Sequence, residues 1–133
     1  MVESTLTDPT TPSHSNSGSH ADPTAQSTTS VGIAAFAVRS RFVIANGMVE
    51  EVRAAFRNRP HLVDVAPGFV KMAVLSPSDR PEEIWLMTYW TDRQSYVNWH
   101  GSHLYRSSHA GIPKGLKLIG AETEIRQLDV VCT

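Results

Sequence analysis

The chain has 133 residues, 12 of them basic and 13 acidic, for a formal net charge of −1. That is one domain's worth, and so even a balance gives no electrostatic case for nucleic acid or for an anionic membrane surface. A single cysteine, Cys132, excludes an intrachain disulfide scaffold, a cysteine-based metal site and an iron–sulfur cluster.

Residues 1–30 hold seven Ser, seven Thr and three Pro, with three acids and no Lys or Arg. Such a segment cannot bury enough apolar surface to offset the entropy of ordering it, which predicts a disordered Ser/Thr/Pro-rich leader. Its two histidines, His14 and His20, make a poor metal site. The leader lacks the basic start and apolar run of a signal peptide, and no stretch of the chain approaches the roughly 18 apolar residues of a membrane span. The expectation is a cytoplasmic protein with no membrane and no nucleic-acid partner. Residues 31–133 are the expected folded domain, with twelve basic against ten acidic side chains.

VGIAAFAVRSRFVIA, 31–45, alternates with a period of two. Phe36, Val38, Ser40 and Phe42 fall on one face and Arg39 and Arg41 on the other, which predicts a strand with one wet side. NGMVEEVRAAFRNR follows with a helical period through Met48, Val52, Ala55 or Phe56, and Arg59, with Asn46 as the expected cap and Pro60 as the stop. APGF, 66–69, signals a turn, and FVKMAVL, 69–75, a second strand. SPSDRPEE, 76–83, is a polar loop, and IWLMTYW, 84–90, is a third strand with the strongest β signal in the chain. Strands two and three have no helix between them and should pair antiparallel.

Thr91-Asp92-Arg93-Gln94 has the form of a capping box. The helix it opens is expected to carry Tyr96, Trp99, His103 and Arg106 along one stripe and to end at Gly111 and Pro113. A last strand is expected over about 118–131. The order β-α-β-β-α-β is the α+β, ferredoxin-like arrangement, an antiparallel sheet with two helices on one face. Trp85, Met87 and Tyr89 lie on one side of strand three, and Leu86, Thr88 and Trp90 on the other. Both faces therefore call for burial, and a second copy in a homodimer is the economical cover for the face without helices.

His109 is the most informative side chain. It stands in SSHAG among small neighbours that leave room for a flat ligand, so its imidazole could ligate haem iron or another metal. It could equally be a helix-terminal histidine that suits the negative end of the dipole. His100, His103 and His109 fall within ten residues, but they do not share a helical face and no carboxylate lies near them in sequence. Trp99 on the apolar stripe reads as core or as cofactor contact. Arg57 and Arg59 read as solvated dipole partners or as hands for a carboxylate-bearing ligand. Ser40 has no Asp-His pair at a readable spacing, so it is no hydrolase nucleophile. Glycine-rich phosphate loops are absent, which removes a nucleotide-binding reading.

Taken in order, SRFVIANG, the APGF turn and TYWTDRQSYVNWHGSHLYRSSHAG resemble the antibiotic-biosynthesis-monooxygenase (ABM) superfamily, and most of all its haem-degrading branch. The resemblance covers about 38–130. Its most specific part is a strand ending in Tyr-Trp, a capped helix with a tryptophan, and a histidine ten residues after that tryptophan. It implies a dimeric α+β barrel, built from two ferredoxin-like subunits whose sheets face each other. It also implies that His109 is the iron ligand, that Trp99 presses against the macrocycle, and that Phe56, Arg59 and His103 lie around the cofactor. Ser40 takes the distal position where those enzymes carry asparagine. Its hydroxyl can donate a hydrogen bond but is shorter, and is expected to reach a bound ligand only through a water.

The function so implied is a haem-binding oxidoreductase that opens the haem macrocycle and releases iron, with haem as cofactor and substrate. O2 and an external electron donor, such as a partner reductase, would take part. Two other functions fit the same residues: an ABM-type monooxygenase acting without haem on a small aromatic or polyketide-like substrate, and a non-enzymatic haem-binding protein. In the former, His109 would be a base or a hydrogen-bond donor.

Overall fold

A computed structural model of the protein describes residues 32–133. The expected leader, with His14 and His20, lies outside the described residues. Strand β1 (Phe36–Val43), helix α1 (Val49–Arg57), β2 (Phe69–Leu75), β3 (Glu83–Trp90), helices α2 (Arg93–His100) and α3 (His103–Ser108), and β4 (Glu124–Asp129) follow in chain order. The sheet order is β2-β3-β1-β4 with every neighbour antiparallel. This is the expected α+β ferredoxin-like topology.

The dimeric α+β barrel that the resemblance implied is not formed. The four strands make an open sheet with β2 and β4 at opposite edges. Closing a barrel requires the two edges to bond to each other, and four strands of ordinary twist are too few to bring them together. The two-faced pattern of β3 also has a partial explanation within the single chain. On the side away from the helices, the Arg39 guanidinium lies 4.8 Å over the Trp85 ring and the Lys71 ammonium 5.0 Å over Tyr89. Long cationic side chains lay their stems on the aromatic rings and leave them half-buried.

β1 sits between β3 and β4, which is why it is buried on almost its whole length. Its register sets Phe42 beside Ile84, Ser40 beside Leu86, Val38 beside Thr88 and Phe36 beside Trp90 on the helix side. Two apolar clusters cover that side. One joins Phe42, Ile44, Ile84 and Leu86 to Val52 and Phe56 of α1. The other joins Phe36, Val38 and Trp90 to Trp99 of α2 and Tyr105 of α3.

Several local expectations shift. Asn46 does not cap α1: the cap position is Met48, without a side-chain bond, and the Asn46 amide instead donates to the Gly115 carbonyl at 2.7 Å. Gly47, at φ +78°, turns the chain between them. The capping box at Thr91 does not form, because Asp92 accepts from the Ser95 N–H at 2.8 Å and opens the helix one residue later. A carboxylate is the stronger acceptor for an N-terminal N–H. The Thr91 N–H is taken by the Gly68 carbonyl at 2.8 Å. Gly68 holds φ +84°, and a Cβ there would run into Ser95, so the APGF turn admits glycine alone. The helix expected through Arg106 is broken at Gly101, and Ser102 caps α3 by accepting from the Tyr105 N–H at 3.1 Å. The last strand is shorter than expected. Leu118 makes only an isolated bridge to Ile44, and a 3-10 turn over Gly120–Glu122 precedes β4. No helix among the described residues is long and apolar enough to cross a membrane.

Candidate functional site

The boundary between the two clusters is the place to look for chemistry, because it is where polar side chains interrupt the apolar layer. On β1, Val38 belongs to the cluster with Trp99 and Phe42 to the cluster with Phe56, with Ser40 between them on the same face. Ser40 is 5% exposed, and its hydroxyl is not among the fully buried side-chain atoms that lack a partner. A hydroxyl on this face can donate to a ligand or a water.

On the opposite wall, α3 carries the chain from one cluster to the other. Tyr105 is fully buried in the Trp99 cluster, whereas Ile112, just past the helix end, packs on the Phe56 cluster. His109 lies between them as the C-terminal cap residue of α3 and the start of a 3-10 turn over His109–Gly111. It is half-buried, with its ring edge-on to Tyr105 at a centroid distance of 4.7 Å and 68°. Tyr105 also meets Trp99 at 6.0 Å and 89°, and His100 at 4.5 Å and 38°. Ser40 thus falls between the two clusters along β1, and His109 between Tyr105 and Ile112 along the chain.

The other sequence candidates are distributed differently. Trp99 is 4% exposed and edge-packed on Tyr105, and Phe56 is 6% exposed and set against Phe42 at 6.5 Å. Both are core side chains that present little ring face. Arg59 is tied to Asp64 at 2.9 Å on the chain that follows α1. His103 is exposed at the start of α3, and His100 stacks between Tyr96 and Tyr105. Among the described residues no group of three His, Cys, Asp or Glu side chains could hold a metal ion, so the three histidines do not converge.

Tyr105 was not singled out by the sequence pattern. Its signal was the Gly101-Ser102 pair: a glycine followed by a good cap residue restarts the helix and re-phases its buried face, taking Tyr105 in and leaving His103 and Arg106 out.

The strongest electrostatics lie on the other side of the sheet. Arg41 bonds Glu83 at 2.8 Å and Glu122 at 3.1 Å, Arg80 bonds Glu122 at 3.0 Å, and the Trp85 indole N–H donates to Glu83 at 2.7 Å. The Arg41 guanidinium and the Trp85 N–H together hold the Glu83 carboxyl down at about 2. This network stitches β1, β3 and the turn before β4. It is structural, and it lies on the face of the sheet away from Ser40 and His109.

Haem suits these residues only in part. His109 could offer a ring nitrogen to iron. The tryptophan that would press on the macrocycle is, however, embedded in the core, and so is Phe56. The residues present do not form the haem cradle drawn from the sequence.

The antibiotic biosynthesis monooxygenase family profile matches residues 35–111. Comparison with curated proteins finds no match. Among solved structures, the chain is similar to the haem-degrader MhuD from Mycobacterium tuberculosis with two haems bound, at 21% identity over 74% of this chain and 97% of that one, with a TM-score of 0.61. It is about as similar to SnoaB, a cofactor-independent oxygenase from Streptomyces nogalater, at 17% identity over 76% and 97% of the two chains, with a TM-score of 0.60. At these identities the structural likeness speaks for the fold. The family profile spans more than half of the chain, and on that ground the protein belongs to the antibiotic biosynthesis monooxygenase family, as an enzyme of monooxygenase type.

Proposed function

We propose that this protein is a cofactor-independent monooxygenase acting on a flat aromatic, polyketide-like substrate at the boundary between its two clusters. The observation that carries this reading is Ser40, a hydroxyl set between the two apolar clusters on the helix-side face of β1, together with the half-buried imidazole of His109 beside Tyr105.

A suitable substrate has a ring CH2 acidified by a flanking carbonyl or phenol. His109 takes one proton from that carbon as general base. The negative charge spreads onto the flanking oxygen, where the Ser40 hydroxyl donates a hydrogen bond. O2 then reacts at the carbon. One oxygen atom stays as a new carbonyl, and the other leaves as water with the two hydrogens. The carbon loses four electrons and O2 gains four, so no external donor or reductase enters. Tyr105 fixes the His109 ring from its edge and acts as a positioning residue.

Haem binding is the second reading, supported by the half-buried His109 and by the likeness to a haem-degrader. We also propose a homodimer that meets through the outer sheet face, where Trp85, Met87 and Tyr89 remain half-buried in the single chain.

Oxygen uptake with a tricyclic hydroxylated aromatic bearing such a CH2, without added cofactor, tests the main reading. A haem titration followed in the Soret region tests the second. Uptake with no Soret shift supports the first, and a Soret band without uptake overturns it.

A further inference from the structure

A second concavity lies away from Ser40 and His109, between α1 and the loop joining β2 to β3. It is a groove of about 630 Å3 lined by Val74, Leu75, Pro77 and Pro81, with Arg53 and Arg57 of α1 on its rim. Its size is that of a small-molecule site.

Two arginines without an ion partner among the described residues stand on its rim. They are one helical turn apart on the same face, and no acidic residue lines the groove. Arg39, Arg41, Arg59 and Arg80 each pair with a carboxylate. Arg53 and Arg57 make no ion pair with a described residue, and the Nε of Arg53 is buried with no hydrogen-bond partner. Arg39 also has an unpartnered Nε, but its guanidinium is matched to Glu124 and lies over Trp85. The helix dipole explains a basic residue in the last turn, where Arg57 stands. It does not explain Arg53 in the middle of the helix. A buried charged donor without an acceptor is costly, and an anionic ligand would remove that cost.

The opposite wall is built before any ligand arrives. The Ser76 hydroxyl donates to the Glu83 carbonyl at 2.8 Å, the Arg80 N–H to the Pro77 carbonyl at 3.1 Å, and the Glu83 N–H to the Arg80 carbonyl at 3.0 Å. A preformed wall reduces the ordering lost on binding.

We propose that this groove is a second ligand site for a small organic anion. Its carboxylate sits on Arg53 and Arg57, and its apolar body lies against Val74 and Leu75 between the two prolines. The proposal is independent of the oxygenase reading.

Titration of the full chain with 2-naphthoate, followed by amide chemical shifts, tests it, with 2-naphthamide as the neutral isostere. Saturable shifts are expected at Arg53, Arg57 and Ser78 with naphthoate at roughly millimolar concentration or below, and about tenfold or weaker binding of the amide. Arg53→Gln and Arg57→Gln should each weaken naphthoate about tenfold and leave the amide unchanged. Arg57 is exposed, so its variant keeps the fold even if the other does not. Equal affinity for acid and amide, no saturable shift, or shifts confined to Ser40, Trp99 and His109 would each overturn the proposal.

Discussion

His109 and Tyr105 stand edge to face with ring centroids 4.7 Å apart, so a fully buried aromatic ring sets the direction of a half-buried imidazole. The same tyrosine is edge-packed on Trp99, which anchors it to the sheet through the cluster of Phe36, Val38 and Trp90. The histidine is therefore oriented from the core outward.

Tyr105→Ala empties a fully buried aromatic position and should cost about 3–5 kcal/mol of stability. His103→Ala, at an exposed position two residues earlier, should stay within about 0.5 kcal/mol. Urea unfolding of the two variants measures both, and a similar loss in each would mean that α3 is not phased as described.

Acid should weaken the fold through Glu83. In the folded chain its carboxyl ionises at about 2, held by Arg41 and Trp85, against an ordinary value of 4.5. Between those two values the unfolded chain takes up the proton and the folded chain does not, so stability is lost as pH falls through this window. Glu122, also held below its ordinary value by Arg80 and Arg41, adds in the same direction. Glu83→Gln should be less stable at neutral pH and show a flatter melting-temperature profile between about pH 5 and pH 2. An unchanged profile would remove Glu83 from acid sensitivity.

Ser40→Ala removes one hydrogen-bond donor from the proposed site and should slow substrate oxidation about tenfold. Its unfolding curve should stay near that of the parent, because losing one hydroxyl leaves the packing of β1 in place. A large stability loss with unaltered turnover would make Ser40 a packing residue.

The outer sheet face gives the oligomer test. Sedimentation equilibrium at micromolar concentration should return twice the chain mass, and Met87→Glu should return a single chain. A monomer in both would leave the cations over Trp85 and Tyr89 as the whole cover of that face.

Strand order and topology were legible because the period-two runs around Phe36–Phe42 and Ile84–Trp90 are long and their turn signals strong. Closure was not legible, since the faces of β3 report what wants burial and not what buries it. Arg39, read only as part of a wet face, and Lys71 do part of that work. Trp99 was found but its role depends on exposure, which a helical stripe does not reveal. Tyr105 was missed because a two-residue break at Gly101 and Ser102 moves the buried face, and a continuous stripe cannot show it. The Arg53 and Arg57 groove depends on a loop 20 residues away, so only the folded chain brings it together.

The central claim is that the chain oxidises an aromatic CH2 with O2 alone, using His109 as base. The most direct measurement is product analysis under 18O2 with metal-free, haem-free protein and its His109→Ala variant. One labelled oxygen in the product carbonyl, one labelled water, and a loss of about 100-fold or more in the variant are the expected results. Unlabelled product, or turnover that appears only after haem and a reductant are added, would contradict the account.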